Sequence, residues 1–94
     1  MADFEWDPAK DAANLDKPGI GFARASDVFE DPLWIEEDAT RPEHGEQRRL
    51  AIGRVGDGII AVIFTDREGR VRIIAARRAR RDERRRYGRR AAAG

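Results

Sequence analysis

Cysteine is absent from the 94-residue chain, and histidine occurs once, at His44. Disulfide frameworks and thiolate nucleophiles are thereby excluded, and a conventional zinc site would lack its usual ligands. Metal-dependent chemistry would have to rest on carboxylates alone, so no metal and no cofactor is expected. Long hydrophobic runs are missing as well. The longest, Ile59 to Phe64, is far too short to span a bilayer, and no basic-then-apolar leader precedes Phe4. The expectation is a cytoplasmic protein with no membrane contact. The length leaves room for one domain, residues 1–94, whose core buries somewhat over half of the surface exposed by the unfolded chain.

Charge is abundant but unevenly divided. The stretch "RVRIIAARRARRDERRRYGRR", from Arg70 to Arg90, holds eleven arginines against two acids, Asp82 and Glu83. Taken from chain totals of 19 Lys plus Arg and 18 Asp plus Glu, this leaves eight bases and sixteen acids in the rest, so a +9 tail and a −8 body make up the net +1. A concentrated positive field attracts phosphates or acidic protein segments whatever the total. A charge run is also often no more than a solvated helix face, so nucleic acid, an acidic partner and plain solvent all stay open here. The apolar segments are clustered and periodic, which argues against wholesale disorder even at 39% charged residues.

The segment "WDPAKDAANLDKPG" carries its own start and stop signals, with Asp7 as N-cap, Pro8 at the first helical position, and Pro18 with Gly19 as terminator. It predicts a helix over about Pro8 to Asp16 with Ala12, Leu15 and Ala13 as its apolar face. "GFARASDVFED" places Phe22, Ala25, Val28 and Phe29 at helical spacing, closed by Asp31 and Pro32. Together these predict an N-terminal helical hairpin. Beyond Pro32 the period falls to roughly two. "LWIEE" reads as a short strand, a polar loop spans Asp38 to Glu46, and "QRRLAIGRV" puts Leu50 and Ile52 on one face. Asp57 and Gly58 suit a type I′ turn joining "RRLAIGRV" to "GIIAVIFTD", and "DREG" turns into "RVRIIAA". The unbroken run Ile59 to Phe64 predicts the strand most nearly covered on both faces. From Ala79 the Arg, Ala and Glu composition favours a helix, with a frayed basic and alanine tail from about residue 90. The expected fold class is α+β: a helical hairpin, a three- to four-stranded antiparallel sheet and a C-terminal helix.

On "RVRIIAAR", Val71, Ile73 and Ala75 alternate with Arg70, Arg72 and Ile74, which puts Arg70 and Arg72 opposite the core. With Arg67 in the preceding turn and Arg77 at the strand's end, four arginines would line one surface beside the terminal helix. In that helix Ala79, Glu83 and Tyr87 share a stripe, and Arg80 and Arg84 form the next. Guanidinium groups match phosphates bidentately and stabilise the extra charge of a pentacoordinate transition state. RNA brings its own nucleophile, the 2′-hydroxyl, so cations, a base and an acid suffice. Glu83, Tyr87 and His44 are the groups able to move protons, and Tyr87 or Trp34 could stack on a base. Each has a plainer reading: Glu83 as a salt-bridge partner, Tyr87 as a core edge, His44 as a solvated loop residue.

"FEWDPAKDAANLDKPGIGF" from Phe4, "VFEDP" from Val28, "HGEQR" from His44, "IG" at Ile52 and "RIIAARRARRDERRRY" from Arg72 together resemble the BrnT toxin family over nearly the whole chain. The opening Phe-Glu-Trp-Asp with Lys10, Asn14, Lys17 and Gly19, and the closing Arg72 to Arg77 and Glu83 to Tyr87, carry the resemblance in order and spacing. It implies a RelE-like fold and the toxin of a type II toxin–antitoxin pair, a metal-independent ribonuclease that inhibits translation. The implied partner is a BrnA-like antitoxin with a ribbon-helix-helix domain, which would contact operator DNA on the toxin's behalf in a complex of two toxins and two antitoxins. On this reading Arg67, Arg72, Arg77, Glu83, Tyr87 and His44 are the candidate catalytic residues, and Arg70, Arg80, Arg84 and Lys17 hold the RNA. Two positions depart from the family pattern. Pro18 stands where relatives often carry histidine, and Ala75 where they carry serine. The missing histidine motivates the alternative of a basic binding module that holds an acidic antitoxin segment, hydrolyses RNA weakly or not at all, and takes part in operon autoregulation.

Overall fold

The computed structural model describes residues 3–16 and 19–93. Lys17 and Pro18, read above as an RNA contact and a helix terminator, lie outside the described residues. The chain opens on a strand, β1 (Asp3–Trp6), followed by α1 (Pro8–Asp16) and a single helical turn, α2 (Phe22–Ala25), which tightens into a 3₁₀ segment over Ser26–Glu30. Then come β2 (Ile35–Asp38), a 3₁₀ turn at Pro42–His44, β3 (Arg49–Val55), β4 (Gly58–Arg67), β5 (Arg70–Arg78) and α3 (Arg81–Ala93).

The sheet has five strands in the order β1-β5-β4-β3-β2, with β1 parallel to β5 and every other neighbour antiparallel. Three or four antiparallel strands were expected. The strand missing from that expectation is β1, a four-residue segment whose hydrogen bonds come from β5, with Asp3 opposite Arg70 and Trp6 opposite Ile73. Its pairing is set by tertiary contact and not by a turn, so no local signal announces it.

The expected helical hairpin is likewise only half present. Asp7 caps α1 by accepting the Ala9 N–H at 2.9 Å, as its position before Pro8 requires. The second helix is too short to pair with α1 as a hairpin, because Val28 and Phe29 turn down into the core on 3₁₀ geometry. The apolar face assigned to α1 is also corrected: Ala12 and Ala13 are exposed and Leu15 retains 56% of its surface. Polar side chains tie this helix down instead. Asp11 accepts the Phe22 N–H at 2.8 Å, and the Asn14 amide donates to the Ile20 carbonyl at 2.7 Å and to the Ala76 carbonyl at 2.9 Å.

Two apolar layers sandwich the sheet. Phe22, Ala25 and Val28 pack with Ala51, Val62, Phe64, Ile73 and Ala76 on one face, where Phe29 meets Phe4, Trp34 and Phe64 at ring-centroid distances of 5.6, 5.0 and 5.2 Å. Leu50, Ile52 and Ala61 meet Ala79 and Tyr87 on the other, under α3. The run Ile59 to Phe64 therefore lies in the central β4 with layers on both sides, as its unbroken hydrophobicity implied. Val28 approaches β3 so closely that a Cβ at Gly53 would fall 2.8 Å from its Cγ2, which leaves glycine as the residue that fits.

The turns exchange roles. Val55 pairs with Gly58, so the two-residue loop is Gly56–Asp57 and not Asp57–Gly58. Only Gly56 has positive φ there, at 60°, the pattern of a glycine-first hairpin turn in place of type I′. The type I′ signature falls on the next hairpin, where Glu68 (φ 54°) and Gly69 (φ 81°) are both left-handed. The tail expected to fray from about residue 90 continues as α3 to Ala93, with Ala91 packed on the second cluster.

Candidate active site

β5 is not a regular strand. Ile63 pairs with Ala75 and Phe64 with Ile73, leaving Ile74 as an extra residue. Strict alternation from Ile73 would aim Arg77 into the N-terminal layer. The bulge reverses that phase. Ala76, and not Ala75 as expected, continues the Ile73 face, and Arg77, opposite Ala61, turns towards α3.

There Arg77 meets Glu83, a residue only 4% exposed. Its Nη1 and Nη2 donate to the two carboxylate oxygens at 2.7 and 3.0 Å. The same carboxylate accepts the Arg80 N–H at 2.7 Å, so Glu83, in the first turn of α3, closes back on the residue that precedes the helix. The Arg77 guanidinium beside Glu83 holds that carboxyl below the usual glutamate range; burial pushes upward, and the Arg80 N–H reinforces the lowering. Glu83 in turn raises Arg77 above the ordinary arginine value. An acid this well paired is ionised at neutral pH and weakly basic, so its chemical contribution is to hold the Arg77 fork rigid.

Facing this pair is the loop between β2 and β3. Its neck is closed by Thr40, whose Oγ1 donates to the Arg48 carbonyl at 3.2 Å and accepts the Arg48 N–H at 3.0 Å, while Ala39 N–H reaches the same carbonyl at 2.9 Å. Pro42 begins the 3₁₀ turn, Gly45 ends it with φ 65°, and His44 is carried between them. The loop and α3 enclose a cleft of about 520 Å³ with Leu50 and Ile63 beneath it, and Arg41, His44, Arg48, Arg77, Arg80 and Glu83 around it. Asp38, Ala39 and Thr40 complete the wall.

The cleft is cationic. Arg48 reaches Glu46 at 3.4 Å, whereas Arg41 and Arg80 make no ion pair among the described residues. Two buried nitrogens in it, His44 Nδ1 and Arg48 Nε, have no hydrogen-bond partner. Buried polar atoms are nearly always satisfied, which sets these two apart. No group of three or more His, Cys, Asp or Glu among the described residues could hold a metal ion.

Of the residues singled out from sequence, His44, Arg77, Arg80 and Glu83 thus share one cleft. The others do not line it. Arg67 and Arg70 lie exposed at the β4–β5 hairpin, and Arg72 is engaged by Glu5 of β1 at 2.7 Å. Arg84 donates to the Ala79 carbonyl at 2.6 Å. Tyr87 is buried, and its hydroxyl donates to Asp31 at 2.6 Å. Trp34, offered as a base-stacking platform, packs edge-on against Phe29 in the core. Sequence reasoning missed Arg41 and Arg48. The signal available was their position astride His44 in a loop otherwise rich in acids.

The domain thus carries, on a five-stranded α+β frame, an arginine-rimmed cleft with one imidazole, residue types that suit a phosphodiester. The chain matches, over residues 6–83, the family described as "Ribonuclease toxin, BrnT, of type II toxin-antitoxin system", and it belongs to that family. The match ends at Glu83, so it takes in every cleft residue and leaves out the rest of α3. It makes the protein a ribonuclease toxin of a type II pair, with an antitoxin as its counterpart. No curated protein sequence matches the chain. No helix among the described residues is long and apolar enough to cross a membrane.

Proposed function

We propose that this toxin is a metal-independent endoribonuclease that cuts messenger RNA and thereby arrests translation, acting through the cleft between α3 and the β2–β3 loop. The observation that carries the reading is the convergence of His44, Arg77 and Arg80 on that one concavity. Arg77 and Arg80 bind the scissile phosphate. His44 takes the proton of the 2′-hydroxyl as its oxygen bonds to phosphorus; the bond to the 5′-oxygen breaks, and that oxygen takes a proton from water. The cations stabilise the added charge of the pentacoordinate state from fixed positions, where water would first have to reorient. Arg41 and Arg48 steer the chain in. Arg67, Arg70, Arg72, Arg84 and Lys17 remain candidates for contacts with RNA beyond the cleft, and Tyr87 acts through the placement of α3.

Its antitoxin, on this reading, is BrnA-like, with a ribbon-helix-helix domain that dimerises the complex into two toxins and two antitoxins and brings it to operator DNA. The toxin works in the cytoplasm. A second reading, a binding module with little hydrolysis, has one observation in its favour: Glu83 already neutralises Arg77. Expression of the chain alone in bacteria separates the two. Growth arrest rescued by the neighbouring reading frame, with RNA cleavage in EDTA by the purified protein, supports the ribonuclease. Tight antitoxin binding without arrest or cleavage supports the module.

A further inference from the structure

A second concavity, of about 440 Å³, shares no lining residue with the cleft. It lies where the β3–β4 turn meets the end of β5 and the segment leading into α2. Ile20 and Ile59 are the half-exposed aliphatic side chains of its lining, over the buried Val55 and Ile60; Arg24 and Arg78 form its basic rim, and Asp57 is the one acid. Neither arginine makes an ion pair among the described residues. Arg24 rests on the turn, its Nη2 lying 2.8 Å from where a Cβ on Gly56 would stand. Leu15, 56% exposed, adjoins this region through Gly21, where an added Cβ would meet Leu15 Cδ2 at 3.4 Å.

Aliphatic side chains beside unpaired arginines and an exposed leucine form a mixed patch. A phosphate chain gains from the arginines alone. A peptide with apolar and acidic side chains gains from both the arginines and the half-exposed aliphatic side chains, the mixture found at protein contacts. We propose that this groove docks an acidic segment of the antitoxin, with its aliphatic side chains seated on Ile20, Ile59 and the neighbouring Leu15 and its carboxylates on Arg24 and Arg78. The inference rests on the toxin–antitoxin pairing. β5 then serves both ligands, because Arg77 and Arg78 are consecutive and project to opposite faces of the sheet.

The test measures affinity between the full-length chain and the full-length antitoxin from the adjacent reading frame, over a range of salt, with RNA cleavage assayed in parallel. The double variant Arg24→Glu with Arg78→Glu is expected to weaken antitoxin binding at least tenfold and to flatten its salt dependence, with cleavage unchanged. Arg24→Gln with Arg78→Gln, and separately Leu15→Asp, are expected to give smaller losses in the same direction, and they keep the test readable if charge reversal prevents folding. Unchanged affinity in all of these variants overturns the inference. Reduced cleavage with unchanged affinity also overturns it, by assigning the groove to RNA. A wild-type chain that binds no antitoxin overturns the inference together with the pairing beneath it, a result distinct from loss confined to the variants.

Discussion

The Tyr87 hydroxyl on α3 donates a 2.6 Å hydrogen bond to the Asp31 carboxylate, on the segment that enters β2. Asp31 also accepts the N–H of Arg54 at 2.8 Å and of Leu33 at 2.9 Å. One carboxylate thereby fastens the C-terminal helix, β3 and the approach to β2 together. Burial works to raise the Asp31 carboxyl, but these donors outweigh it and hold it below the usual aspartate range. Burial, then Asp31 itself, pushes the Tyr87 hydroxyl above its ordinary value.

Tyr87→Phe should therefore cost about 1–2 kcal/mol, the order expected for a hydrogen bond to a charged group at a partly buried site. For a domain of this size that lowers the melting temperature by roughly 4–8 °C per kcal/mol. Because the folded hydroxyl titrates above its unfolded value, its contribution is complete below about pH 10 and fades as pH rises through the folded value. In urea melts the gap between the two proteins should narrow as the pH rises above about 10. Curves that stay parallel would place the effect in packing.

Glu83 gives the opposite pH dependence. Its folded carboxyl titrates below the unfolded value, chiefly through Arg77, so its stabilisation is present above about pH 4.3 and is lost as pH falls through the folded value. Glu83→Gln removes the carboxylate that fixes the Arg77 fork and accepts the Arg80 N–H. The expected outcome is a loss of about 2–3 kcal/mol at pH 7 and a shallower acid limb than wild type. RNA cleavage should fall with it, mainly in kcat, because Arg77 is released and no base is removed.

The β4–β5 hairpin stores strain at Glu68, the one non-glycine residue with positive φ among those described. Asparagine occupies left-handed backbone more readily, so Glu68→Asn should raise stability by about 0.5–1 kcal/mol without touching the cleft. Calorimetry decides this. A lower melting point would mean that Glu68 makes a compensating interaction.

Legibility in the sequence followed the range of the interactions. β4 could be read from Ile59 to Phe64 because burial on both faces removes every polar residue from such a strand. α1 could be bounded because Asp7 and Pro8 act within one turn. Its orientation could not, since Asp11 and Asn14 find their partners at Phe22, Ile20 and Ala76. β1 depends on β5, at the far end of the chain. The bulge at Ile74 has no glycine to mark it, and with it went the facing of Ala75 and Arg77. For the site, residue types pointed to arginine and phosphate, but the choice among seventeen arginines was made by topology, which brings the β2–β3 loop over the start of α3.

The sharpest test of the cleft compares two residues that reason from sequence ranked very differently. His44 read as a solvated loop residue; its Nδ1 is instead buried without a partner, on a side chain that lines the same cleft as Arg77. If His44 moves the proton of the 2′-hydroxyl, His44→Gln should lower single-turnover cleavage about 10²–10⁴-fold, the usual contribution of general acid–base catalysis, with little change in RNA affinity. Arg67→Ala, outside the cleft, should weaken binding slightly and more so at low salt, and leave the single-turnover rate at saturation unaltered. Arg77→Lys keeps the charge but loses the bidentate fork, and it should fall between the two. Reversal of that order, with Arg67 dominant and His44 silent, would move the active site to the β4–β5 hairpin.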